Sequence, residues 1–124
     1  MEVLYNNKEA EILFQASGSM KLLRVWIKRV AMQTERTWND TLPTELQALK
    51  IAVIQTENNV NKLCVTQQSA ALQSFHEKMQ ELLVNIDTKE MKIIQSICIT
   101  IQNQIDYIVN DLDKRRRRLY EALI

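Results

Sequence analysis

The stretch Met91–Leu123, MKIIQSICITIQNQIDYIVNDLDKRRRRLYEAL, decides the fold. It contains neither glycine nor proline, and its apolar residues recur at Ile94, Cys98, Ile101, Ile105, Ile108, Leu112, Leu119 and Ala122, with Arg115 in the same series. The steps alternate four and three, which keeps one side of an α-helix turned toward a partner helix. Ile97, Ile99 and Ile101 alternate as a strand would, but the four-three pattern continues well past strand length, so helix wins. Ile93, Ile97, Ile99 and Val109 lie outside the narrow seam, so the helix is apolar over a wider arc than a two-stranded coil needs. With Ile94 at d, Ile101 and Ile108 are d while Ile105, Leu112 and Leu119 are a. That choice disfavours parallel dimers and predicts a bundle of three or four helices. Ile94, Cys98, Ile101, Ile105, Ile108, Leu112 and Leu119 are therefore read as an oligomer seam.

The same stretch carries the densest charge in the chain, Lys114-Arg115-Arg116-Arg117-Arg118. Successive residues turn by about 100° on a helix, so this block places positive charge on every face and cannot be fully buried. Arg115 occupies a seam position that the pattern reserves for an apolar residue, so the seam splays or ends nearby. Three uses compete for this basic tip: docking on an import receptor, contact with nucleic-acid phosphates, and structural pairing of Asp111 with Arg115 and Asp113 with Arg117 at i,i+4. Such pairs contribute only about 0.2–0.5 kcal/mol each, too little to require a block this dense.

Outward from this helix, the chain has 124 residues with one glycine, one proline and 46% apolar residues. It lacks the turn residues that a sheet fold needs, so the expected class is all-α: an elongated coiled coil, or an antiparallel helical hairpin assembling into a helical bundle. Sixteen basic residues against fifteen acidic exclude a globally basic nucleic-acid binder and confine any such role to local clusters. No signal-peptide pattern or long uninterrupted apolar run is present, so the expected location is intracellular. Cys64 and Cys98 then read as small apolar residues rather than a disulfide.

Ser17-Gly18-Ser19 reads as a stop, and its position before Met20 resembles a fusion junction, so residues 1–19 form a short N-terminal segment, native or a fused peptide. Residues 20–38 form an amphipathic basic helix, with Leu23, Trp26, Ile27 and Val30 on one side and Lys21, Arg24 and Lys28 on the other. Asn39-Asp40-Thr41-Leu42-Pro43-Thr44 predicts a break, with a new helix capped by Thr44 and Gln47. Coiled-coil helices are expected over 44–124. Leu46, Leu49, Val53, Val60 and Leu63 hold one frame, and Leu72, Phe75, Met79, Leu82 and Ile86 another; the shift near Cys64–Ala71 reads as a stutter. A turn is expected at 85–89, with Asp87 and Glu90 as capping box. It divides the region into helices of roughly 41 and 36 residues, placing Phe75 beside Ile97, Val60 beside Leu112 and Val53 beside Leu119. One continuous rod is the alternative.

No catalytic, cofactor-binding or metal-ligating set emerges. His76, the only histidine, reads as an exposed position on a charged face. Cys64, His76 and Cys98 lack zinc-site spacing, and one glycine excludes a glycine-rich phosphate loop. The resulting expectation is a non-enzymatic assembly or scaffold subunit that needs no cofactor. It oligomerises with itself or a helical partner in a nuclear or chromosome-associated complex, and its basic tip is available for an import receptor or DNA-binding. The rival is a peripheral membrane or vesicle-tethering coiled coil that uses helix 20–38 with Trp26.

Overall fold

The computed structural model describes residues 2–63 and 69–123, with side chains described for 8–38, 44–63 and 69–121. Among these residues the chain is helical and without strands: α1 (Glu2–Ala31), α2 (Glu35–Val60), α3 (Ala70–Ile86) and α4 (Met91–Leu123). The helices pack against one another as a bundle, with α1 against α4 and α2, and α3 against α4 and α2.

The expected stop at Ser17-Gly18-Ser19 is absent, because α1 runs through it. Both serine hydroxyls are occupied in ways compatible with a helix. Ser17 Oγ donates to Asp113 Oδ1 at 2.7 Å, and Ser19 Oγ donates to the carbonyl of Gln15, one turn back, at 2.9 Å. Gly18 keeps an ordinary negative-φ backbone. The real break falls at 32–34. The side-chain amide of Gln95 in α4 donates to the carbonyls of Val30 (3.1 Å), Ala31 (3.5 Å) and Gln33 (2.7 Å), finishing the C-terminal end of α1. Thr34 then caps α2 through a box with Thr37, so the expected box at Thr44 and Gln47 is not the start of this helix. The helix passes through position 43, and the side chains of 39–43 lie outside the described residues. Trp38, in the first turn of α2, is buried in the core.

The change of frame between Leu63 and Leu72 marks a helix end rather than a stutter. After Val60 the chain winds through a turn, with Leu63 N–H donating to the Val60 carbonyl at 3.0 Å, and Leu63 is buried. Ser69 then caps α3, its hydroxyl accepting from Leu72 N–H at 3.2 Å. Cys64 and the rest of 64–68 lie outside the described residues. The α3–α4 connection is Asp87–Glu90, with Lys89 in the left-handed region at φ 59°. Asp87 and Glu90 do not form the expected box. Thr88 Oγ1 accepts from Glu90 N–H at 3.3 Å, while Asp87 pairs with Lys50 of α2 at 3.3 Å.

Polar contacts fix the helix directions. Residues 17 and 24 of α1 meet 113 and 106 of α4; 19 of α1 meets 59 of α2; 57 of α2 meets 76 and 80 of α3; and 74 of α3 meets 104 of α4. Together with Lys50 of α2 meeting Asp87 after α3, and with the short connections at 32–34 and 87–90, these contacts make the helices of each adjacent pair antiparallel. The expected placement of Val53 beside Leu119 and Val60 beside Leu112 requires α2 to lie along α4; instead α1 takes that place. The core is continuous from Leu13 to Leu112 through Met20, Leu49, Phe75, Leu82 and Ile101.

Candidate functional site

The seam of α4 is consumed by the fold itself. Ile94, Cys98, Ile101, Ile105, Ile108 and Leu112 are buried within the single chain, and Leu119 is half-buried against the same core. Those side chains face α1 and α3, so in this fold they are not offered to a second copy; the side chain of Ala122 lies outside the described residues. Burial also pushes the Cys98 thiol up to about 12, leaving it a neutral, unreactive apolar filler.

The five basic residues at the end of α4 divide into two groups. Arg115 continues the seam, and its half-buried guanidinium reaches back one turn to Asp111 at 2.9 Å. The helix continues through the charged run to Leu123. Arg116 lies 4.9 Å from the ring centroid of Phe14 in α1, a cation–π contact between the helices. Asp113 does not take the expected partner Arg117. It accepts from Ser17 and pairs with Lys21 at 3.2 Å. Partial burial pushes its carboxyl upward, but the hydrogen bonds from Ser17 and Lys21 and the charges of Lys21 and Arg116 outweigh that, holding it below its ordinary value.

Lys114, Arg117 and Arg118 remain. All three are exposed and, among the described residues, none forms an ion pair. Tyr107, 67% exposed, precedes Lys114 by seven residues and Arg118 by eleven, so the three share a face. Tyr120, also exposed, stands three residues after Arg117. This end of α4 thus carries exposed cations, unpaired among the described residues, beside two exposed aromatic rings.

A second polar cluster was not legible as such. Glu57 in α2 is only 6% exposed, and His76, which is half-buried rather than exposed, brings Nδ1 to 2.8 Å from its carboxylate. Gln80 Nε2 donates to the same group at 2.7 Å. One sign was available in the sequence: Glu57 stands four residues after Val53 and three before Val60, on an apolar face where a carboxylate needs partners. The cluster satisfies a buried charge between α2 and α3. A shallow hollow of about 300 Å³ beside it is lined by Val60, Asn61, Leu72, Gln73, His76 and Glu77.

Among the described residues no group of three or more His, Cys, Asp or Glu side chains could hold a metal ion, and no helix is long and apolar enough to cross a membrane. Trp26, expected as an interfacial anchor, is partly buried against the core with Arg29 stacked on its ring at 4.9 Å. Comparison with protein-family models, with curated proteins and with solved structures finds no match to this chain.

Proposed function

We propose that the chain is a non-enzymatic helical scaffold that contacts nucleic-acid phosphates through Lys114, Arg117 and Arg118, as a subunit of a nuclear or chromosome-associated assembly. The observation that supports this reading is the division within the basic run. Arg115 and Arg116 are engaged by the chain's own Asp111 and Phe14, whereas the other three stand exposed and unpaired among the described residues. Unpaired Lys and Arg side chains on a rigid helix can displace condensed counterions from phosphates, and neighbouring Tyr107 and Tyr120 suit stacking on unpaired bases. In this reading α3 and α4 form an antiparallel hairpin, α1 and α4 pair as a coiled coil, and the bundle holds the basic end at a fixed place in a larger assembly.

Fluorescence anisotropy with labelled duplex and single-stranded oligonucleotides across a salt series tests the proposal. The wild-type chain binds both with little sequence preference, and the log–log salt slope flattens by about 0.9 for each phosphate contact removed in the K114Q/R117Q/R118Q chain. Binding that is unchanged in the triple variant overturns the assignment. Absence of binding at every salt concentration, with nuclear accumulation of a fused reporter lost in the variant, assigns the residues to an import receptor instead.

A further inference from the structure

The fold sorts the charges of α4 by side. Between positions 100 and 118 the carboxylates are Asp106, Asp111 and Asp113, and each is met by a cation of the same chain. Arg24 of α1 pairs with Asp106 at 2.7 Å, Lys21 of α1 with Asp113 at 3.2 Å, and Arg115 with Asp111 at 2.9 Å. Two of the three carboxylates are therefore spent on the α1 side. The face turned away from the core keeps a different set, Asn103, Tyr107, Asn110, Lys114, Arg117 and Arg118, all exposed. At 100° per residue these six fall within an arc of about 100° opposite the buried series Ile101, Ile105, Ile108 and Leu112, and they run for about 22 Å at 1.5 Å per residue. Glu121, beyond the cations, is the next carboxylate in that arc.

The order along the face separates two kinds of nucleic acid. Asn103 stands four residues before Tyr107 and Asn110 three after it, so an amide neighbours the ring on each side. The cations follow at one end only. Duplex phosphates call for cations, but paired bases cover one another's faces in the stack and leave a phenol nothing to stack on. A single strand offers all three contacts: a base face for the ring, base edges that an amide meets as donor or acceptor, and phosphates along the same strand. Tyr107 lies seven residues from Lys114 and eleven from Arg118, about 10 and 16 Å along the axis, a reach of about three to five nucleotides at 3.4 Å each.

We infer that the outward face of α4 holds a single-stranded nucleic acid, one base stacked on Tyr107 between Asn103 and Asn110 and the neighbouring phosphates on Lys114, Arg117 and Arg118, which rests on the nucleic-acid reading above and narrows it to an unpaired strand. Charge at the border does not oppose this. The only carboxylates beside the track on the α1 side, among the described residues, are Asp106 and Asp113, and Arg24 and Lys21 cancel their charge.

Fluorescence anisotropy of the full chain with three labelled probes of about twelve nucleotides tests the inference: a single strand, the duplex of the same sequence, and a strand whose sugars and phosphates carry no bases. The single strand binds about tenfold more tightly than either of the others. Y107A loses that advantage, Y107F keeps it because the ring stays, and both retain the helicity and melting temperature of the wild type because the side chain is 67% exposed. K114Q/R117Q/R118Q weakens all three probes. A strand containing iodouracil, irradiated in the complex, cross-links to Tyr107. Equal affinity for single strand and duplex with Y107A unchanged, a base-free strand bound as tightly as the normal one, or cross-linking at Tyr120 instead of Tyr107 overturns the inference while the phosphate reading stands. Tighter binding of the duplex also overturns it and assigns the face to a groove. No binding of any probe at low salt overturns both.

Discussion

Around Phe75, Met79, Leu82, Ile94 and Ile101 all four helices contribute to the interior, and each of these side chains is essentially inaccessible to solvent. Toward the other end, α1 and α4 run on past α2 and α3, because Asn59 near the end of α2 meets Ser19 and Ser74 near the start of α3 meets Gln104. There the buried residues are small or few, Ala10, Leu13, Ala16 and Leu112, and polar groups fill the gaps: Ser17 with Asp113, Lys21 with Asp113, and Arg116 on Phe14. The body is held mainly by area removed from water, with the Glu57 cluster and the Lys50–Asp87 pair beside it, and so depends less on charge. The extension depends on charges and hydrogen bonds, which respond to pH and salt.

The sharpest way to break this comparison is to cut a large side chain from each region. Phe75→Ala is expected to destabilise by about 3–5 kcal/mol, whereas Leu13→Ala, a smaller truncation among smaller neighbours, should cost nearer about 2 kcal/mol. Equal losses in chemical denaturation would show that both ends pack alike. Next in size is the buried carboxylate joining α2 to α3. Gln80→Ala removes one donor to Glu57 and is expected to cost about 1–2 kcal/mol, since the group stays buried and, among the described residues, His76 is the partner that remains.

The acid dependence of the extension is smaller and has a definite sign. Asp113 has its carboxyl held below the ordinary value in the folded chain, so its stabilising contribution is present at neutral pH. That contribution is lost as pH falls below the ordinary carboxylate range toward the folded value. Asp113→Asn should remove this part of the acid-induced loss, seen as a flatter melting temperature against pH, while leaving the profile above the carboxylate range parallel to wild type. The smallest effect is expected at the tip. K114Q/R117Q/R118Q should change stability by less than about 1 kcal/mol, because these side chains are exposed and unpaired among the described residues.

Much of α4 was legible because its pattern is local. Uninterrupted four-three spacing and the absence of breakers define both the helix and its buried side, residue by residue from Ile94 to Leu112. The partner of that side was not legible, since periodicity tells which face is buried and not by what. α2 is closer in sequence, yet α1 takes the place beside α4 expected for it, while α3 lies along α4's other side. Local signals also misled where tertiary contacts override them. Ser17-Gly18-Ser19 reads as punctuation, but Asp113, ninety-six positions away, draws Ser17 into the α1–α4 interface. The frame change before Leu72 was visible, but whether it unwinds a helix or ends one depends on Ser69, whose capping role becomes clear only once α3 has somewhere to pack. Glu57 and His76 share no local motif at all; their pairing exists only because α2 and α3 lie side by side.

The amide of Gln95 that finishes α1 also bears on how the chain is made. α1 emerges first during synthesis, yet its main neighbour and the group satisfying its last carbonyls belong to α4, more than sixty residues later. At about 5–20 residues per second, α1 waits on the order of 5–18 s for residues 91–123 to emerge. During that interval Met20, Leu23 and Ile27 have at most α2 to cover them. A nascent chain stalled before residue 91 therefore exposes an apolar helical face with no complement, a target for chaperones that capture such faces and a point at which slow translation favours aggregation over folding.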